Sequence, residues 1–350
     1  MTMINIIITI MILSFPFSIA ITKTNPLPFK KIYAFGDSFT DTGNTRSEPG
    51  QDGRLVIDFV AQSLSLPYLP PYKYVKGNSP NGVNFAVAGS TAIDHEFFVK
   101  NNLTLDITPQ SIQTQLLWFN KYLEENVGCK AQDVKCTIAD IENSLFWVGE
   151  IGANDYAYTF GSTLSSDTIR KLVMSSYTQF LTTLLKKGAK YVVVQGFPMT
   201  GCLSLAMTLS VENDRDNISC VKSENNQSYT HNLAILNLVT SLRRQFPQVV
   251  IAYADYWTAY QTVMQSPAKF GINESFKACC GAGDEPYNVD IFSFCGTPST
   301  KACQNPSQYV NWDGVHLTEA MYKVVSDMFL KGSHMNPRFS YLLDRKLHQG

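Results

Sequence analysis

Lys31-Ile32-Tyr33-Ala34-Phe35-Gly36-Asp37-Ser38 is the stretch from which the fold is read. Its apolar and aromatic residues run without alternation, the pattern of a strand buried on both faces, and the glycine then allows a sharp turn. Similar runs recur at Ser144 to Gly149, Lys190 to Gly196 and Gln248 to Tyr253, each followed by a turn containing Gly or Asp. Between them, apolar residues return every three or four positions at Leu55 to Leu64, Ser111 to Leu123, Ile169 to Leu185, Tyr229 to Phe246 and Leu317 to Leu330. That spacing predicts amphipathic helices. Alternating strand and helix predicts an α/β fold, a three-layer α/β/α sandwich around a mostly parallel sheet, with reactive groups beyond the carboxyl ends of the strands.

Ser38 falls at such an end. A serine hydroxyl is a weak nucleophile unless a base takes its proton, so it needs a histidine held by a carboxylate. Of the five histidines, His231 sits inside a helical pattern, and His334 and His348 lie in a polar C-terminal stretch. Among all five, including His95, only His316 has an acid three residues before it, in Trp312-Asp313-Gly314-Val315-His316. On a turn, Asp313 accepts the Nδ1 hydrogen and leaves Nε2 to serve the serine. Taken singly, each of these residues is an ordinary turn residue, and only their combination points to acyl transfer.

Acyl transfer also needs hydrogen-bond donors for the oxyanion. Two segments supply candidates: the Gly89 backbone N–H in Asn84-Phe85-Ala86-Val87-Ala88-Gly89-Ser90, and the Asn154 side-chain amide in Gly149-Glu150-Ile151-Gly152-Ala153-Asn154-Asp155. Other chemistries lack their minimum parts. There is no G-x-S-x-G elbow, no Gly-Lys phosphate loop and no H-E-x-x-H zinc motif, and Pro286 stands where Gly281-Ala282-Gly283 would need a third glycine. No cofactor or metal is expected.

The 350 residues are 45% hydrophobic and 16% charged, which is enough to bury a large core. Lys and Arg total 28 against 29 Asp and Glu, with no basic run, so a nucleic-acid partner is not expected. Residues 1–20 carry no charged side chain and end in Ser18-Ile19-Ala20, a pattern suited to signal peptidase. They read as a signal peptide; the rivals are a membrane anchor, which Asn5, Ser14 and Ser18 disfavour, and a buried strand. No later stretch is long and apolar enough to span a bilayer, so stable membrane insertion after cleavage is not expected. Residues 21–350 read as a single domain, compact from about residue 27 to 335 with a poorly defined tail.

The eight cysteines all follow the leader, which in a secreted chain suggests disulfides. Only Cys129 with Cys136, and the group Cys279, Cys280, Cys295 and Cys303, are close enough in sequence to propose as neighbours. Sequons at Asn102, Asn217, Asn226 and Asn273 point the same way as leader and cysteines, toward secretion, with the vacuole as a further address.

Together, Gly36-Asp37-Ser38-Phe39-Thr40-Asp41-Thr42-Gly43-Asn44, Asn84-Phe85-Ala86 to Gly89, Gly152-Ala153-Asn154-Asp155 and Asp313-Gly314-Val315-His316 resemble the plant GDSL esterase/lipase family of SGNH hydrolases. Similarity extends to Asp52-Gly53-Arg54 through Phe59 and to Tyr253-Ala254-Asp255-Tyr256, and looks closest to the branch of acetylajmalan and sinapine esterases. The resemblance implies a flavodoxin-like SGNH fold, Ser38 as nucleophile, His316 as base and then acid, Asp313 as its orienter, and an oxyanion hole from Gly89, Ser38 and Asn154. One departure is a short connection: only seven residues separate Asn44 from Asp52, where relatives carry a longer loop near the cleft.

The expected function is a secreted, glycosylated serine carboxylic-ester hydrolase acting on a small-molecule or lipid ester. The alternatives are an acyltransferase using the same triad and a catalytically silent secreted binding protein.

Overall fold

A computed structural model describes residues 28–45, 53–103, 107–130, 139–283 and 286–348. The leader, Cys136 and most of the short connection between Asn44 and Asp52 lie outside the described residues.

Five parallel strands form the centre: β1 (Ile32–Phe35), β2 (Gly82–Asn84), β3 (Leu145–Val148), β4 (Tyr191–Gln195) and β5 (Val250–Ala254), in the order β2-β1-β3-β4-β5. This is the flavodoxin-like order, with its topological switch between β1 and its two neighbours. A two-stranded antiparallel ribbon, β6 (Cys280–Gly281) with β7 (Lys301–Ala302), stands apart, and β8 (Met335–Asn336) adds an antiparallel edge to β5. The fold is the expected three-layer α/β/α sandwich.

Each strand feeds both layers because its side chains alternate faces and both faces are covered. Ile32, Ala34, Leu145, Trp147, Tyr191 and Val193 enter one core, while Tyr33, Phe35, Phe146, Val148, Val192 and Val194 enter the other. The helices follow in chain order: α1 (Val56–Ser63), α2 (His95–Lys100), α3 (Ile112–Asn126), α4 (Ala139–Glu142), α5 (Ala153–Tyr158), α6 (Ser166–Lys187), α7 (Ser204–Leu209), α8 (Lys222–Gln245), α9 (Tyr256–Met264), α10 (Glu319–Leu330) and α11 (Phe339–Leu347). The first core takes the apolar stripes of α1, α9, α10 and α11, and the second those of α3, α6 and α8.

The C-terminal segment is a correction. It is no undefined tail: β8 pairs with β5, and α11 buries Phe339 and Leu342 in the first core. Its sequence is polar because only one stripe of α11 faces inward, so mean polarity hid an amphipathic helix.

Disulfides join Cys202 to Cys220, Cys279 to Cys303 and Cys280 to Cys295. The four late cysteines are neighbours as expected; the Cys202–Cys220 bond was not anticipated, and Cys129 is also disulfide-bonded. The sequons Asn102, Asn217, Asn226 and Asn273 are all exposed. No helix among the described residues is long and apolar enough to cross a membrane.

Candidate active site

Three strands of the parallel sheet end at one place, and each is followed by one of the sequence blocks. After β1 the chain turns through Gly36 at φ +142°, where a side chain would press on the Glu150 carbonyl at 3.1 Å, so glycine is required. Ser38 sits in the tight turn that follows, closed by Thr40 and Asp41 N–H donating to the Asp37 carbonyl at 3.0 and 2.9 Å.

Asp41 explains much of the remaining motif. Its carboxylate accepts from the N–H groups of Gly43, Asn44, Thr45 and Ala88 at 2.6 to 3.0 Å, tying the Ser38 turn to the block after β2. Asn44 Nδ2 donates to the Asn84 and Ala86 carbonyls, and Asn84 Nδ2 returns to the Thr40 carbonyl at 2.6 Å. Buried Gln115 on α3 clamps Gly36 through both its N–H and its carbonyl and also donates to Ser90 Oγ at 2.9 Å. The role of Gln115 is not legible from the residues around it, because nothing local marks a helix glutamine that points into a turn 79 residues away.

Gly89 occupies φ +77°, and a side chain there would meet Ile107 and the Tyr158 hydroxyl at 2.8 and 2.9 Å. The Tyr158 hydroxyl donates to the Gly89 carbonyl at 2.8 Å, fixing the peptide that follows. Beside it lies a cavity of about 390 Å³ lined by Tyr158, Phe160, Leu103 and Asn102 among others.

The block after β3 caps α5. Asp155, fully buried, accepts from Ala92 and Ile93 N–H at 2.9 and 2.8 Å, which locks α5 to the Gly89 segment. Burial pushes its carboxyl up to about 7 against those two donors. The Asn154 amide donates to Asp37 Oδ2 at 3.1 Å and to the Ser90 carbonyl at 2.9 Å. It is thus oriented by protein acceptors on both sides beside the Ser38 turn.

His316 arrives from the last loop. Its Nδ1 lies 2.8 Å from Asp313 Oδ2, while Asp313 Oδ1 accepts from the N–H groups of Val315 and His316 at 2.7 and 2.6 Å. Burial raises the Asp313 carboxyl, but the charge of His316 and these hydrogen bonds outweigh it and hold the group below the usual range. The imidazole ring packs 5.8 Å from the Phe39 ring, and its charge is felt by Asp37, so both neighbours of Ser38 face it. Ser38 and His316 are each nearly buried, at 7% and 9% exposure.

The loop is held from two further directions. Arg54 donates to Glu319, the first residue of α10, through its backbone N–H and guanidinium at 2.7 to 3.2 Å. Cys279 and Cys280 N–H donate to the carbonyls of Asn311 and Trp312, so the disulfide-bonded segment lies against the Asp313–His316 turn.

His231 is a buried structural imidazole: it stacks on Phe197 at 3.9 Å between ring centres, bonds the Tyr156 hydroxyl at 2.9 Å, and is driven down to about 3 by burial. No cluster of three or more His, Cys, Asp or Glu suited to a metal ion occurs among the described residues.

The arrangement therefore offers a serine, an imidazole oriented by a carboxylate, and oriented amides, all at the carboxyl edge of one sheet. The family model described as GDSL-like Lipase/Acylhydrolase matches residues 32–329. A GDSL esterase/lipase of Arabidopsis thaliana is 56% identical over 92% of this chain and 91% of its own. Sinapine esterase of Brassica napus is 34% identical over 89% and 88%, and acetylajmalan esterase 2 of Rauvolfia serpentina 33% identical over 85% and 88%.

Proposed function

The chain belongs to the GDSL-like lipase/acylhydrolase family, and from that premise we propose that it hydrolyses carboxylic esters through an acyl-enzyme on Ser38. That it is a carboxylic-ester hydrolase follows from the family; the roles of individual residues are this reading's own.

Ser38 Oγ attacks the ester carbonyl carbon as its proton passes to His316 Nε2. Asp313 keeps the imidazole in the tautomer that can accept it and stabilises the imidazolium that forms. The oxyanion is held by the Gly89 and Ser38 N–H groups and by the Asn154 amide, which shares the hydrogen now directed at Asp37. Collapse breaks the carbon–oxygen bond to the alcohol, which leaves with the proton from His316. Water then attacks the acyl-enzyme, giving its proton to His316; the acid departs and Ser38 Oγ is reprotonated.

The observation that carries this reading is the 2.8 Å contact of His316 Nδ1 with Asp313 Oδ2 on a loop facing the residues that flank Ser38. Leader, disulfides and exposed sequons support entry into the secretory route, with residues 21–350 as one mature domain.

The test is hydrolysis of p-nitrophenyl esters from acetyl to palmitoyl by wild type and Ser38→Ala side by side. Turnover by wild type alone, with matching circular dichroism, is expected. Equal turnover by the variant rejects Ser38 as nucleophile. Acyl transfer to added alcohol in place of acid release would make the enzyme a transferase.

A further inference from the structure

Beneath the nucleophile turn lie two buried carboxyl groups, Asp37 at 1% and Glu150 at 0% exposure. Their backbones are joined by the Asp37 N–H donating to the Glu150 carbonyl at 3.3 Å, and their side chains are close enough for a hydrogen bond once one of them is protonated. Asp37 Oδ1 accepts from the Phe39 N–H at 3.0 Å and Oδ2 from Asn154 Nδ2 at 3.1 Å, so both its oxygens are acceptors. Glu150 Oε1 accepts from the Ala153 N–H at 3.0 Å, but among the described residues its buried Oε2 receives no hydrogen bond.

A buried carboxylate oxygen without a donor is strongly disfavoured, and two carboxylates in contact cannot both remain ionised. A proton on Oε2 resolves both problems, because that oxygen then donates to Asp37. We propose that Glu150 is a neutral carboxylic acid whose hydrogen bond to Asp37 positions the Asn154 amide and the Ser38 turn for oxyanion binding. It is a positioning residue, acting through Asp37, and it rests on the esterase reading above.

The surroundings agree. Among the described residues, the ionisable groups that bear on Glu150 include Asp37, Asp155, Tyr177 and Tyr256, and those that bear on Asp37 include His316 and Tyr322. None of these is a lysine or arginine. Burial first, and then the charge of Asp37, push Glu150 well above the usual carboxyl range, whereas Asp37 rises only to about 6. Both oxygens of Asp37 already accept hydrogen bonds while Glu150 Oε2 accepts none among the described residues, which places the proton of the pair on Glu150.

The test uses the full chain with Glu150→Gln and Glu150→Ala. Glutamine keeps a neutral donor of the same length; alanine removes it. In the infrared difference spectrum of wild type minus E150Q at pH 8, a carbonyl stretch of a protonated carboxyl is expected. Its absence overturns the proposal, and because this readout needs no ester turnover it separates failure of this inference from failure of the esterase reading. In kinetics, E150A should lose kcat by about tenfold or more with KM little changed, while E150Q recovers most of that loss. Equal impairment of the two variants, or wild-type kcat in E150A, overturns it as well. If E150A does not fold, the infrared band and the kcat of E150Q decide.

Discussion

Asp313 and His316 are joined twice within one turn: the carboxylate takes the imidazole Nδ1 hydrogen at 2.8 Å through Oδ2 and the His316 backbone N–H at 2.6 Å through Oδ1. The same residue therefore fixes both the ring and the main chain that carries it. Orientation is built into the loop before any substrate binds.

Asp313→Asn should reduce kcat on a short p-nitrophenyl ester by about 10²- to 10⁴-fold, because the amide favours the wrong imidazole tautomer. KM should change little. Retention of more than about a tenth of the wild-type kcat would assign the orienting role elsewhere.

Asn154→Ala removes one proposed oxyanion donor and should lower kcat by about 10²- to 10³-fold with the fold intact. Steady-state kinetics with circular dichroism checks it. A variant as active as wild type would leave the oxyanion to the backbone N–H groups alone.

Replacing Cys280 and Cys295 with serine should destabilise the protein by about 2–4 kcal/mol. Since the Cys280 N–H holds the Trp312 carbonyl beside the Asp313–His316 turn, esterase activity should fall at temperatures below the shifted melting transition. Calorimetry and activity on the same samples test this; coincident losses would mean that the segment melts only with the whole domain.

Stability should decline as pH rises from about 4 toward about 7. Asp37 at about 6, Asp155 at about 7 and the still higher Glu150 bind protons more tightly when folded than unfolded, so their contribution is full at low pH and lost as pH passes through those values. His231, lowered to about 3, acts oppositely below the pH at which an unfolded imidazole titrates, but it is one group against three. The acids held low, Asp313 and Glu319 among them, act only in the more acidic range. A Tm higher at pH 8 than at pH 5 would contradict the sign.

Protein secreted from a eukaryotic host should carry N-linked glycans at its exposed sequons. Enzymatic deglycosylation should shift its mobility, and Asn217→Gln or Asn273→Gln should each remove one step. An unshifted band would remove that support for secretion.

Much of the site was legible because its parts are local. The strand ending at Phe35, the glycine turn before Ser38 and the three-residue spacing of Asp313 and His316 are each contained in a few consecutive residues, and the structure keeps all of them. Strand β2 was not legible as a strand, since three residues carry too little pattern. The end of the chain was misread because a single buried stripe, Phe339 and Leu342, sits in a polar segment.

What the sequence determined by itself was the layer architecture and the family, and from it came the proposal of Ser38, His316 and Asp313. Periodicity and motif spacing act over one element at a time, so they survive being read along a line. What only the tertiary structure decided was which groups meet: Asp37 with Asn154, 117 positions apart, Gln115 with Gly36, and Glu150 with Asp37 beneath the Ser38 turn. Those meetings depend on how strands and helices pack, and the protonation of Glu150 depends on burial, a property that no residue has until the chain has closed around it.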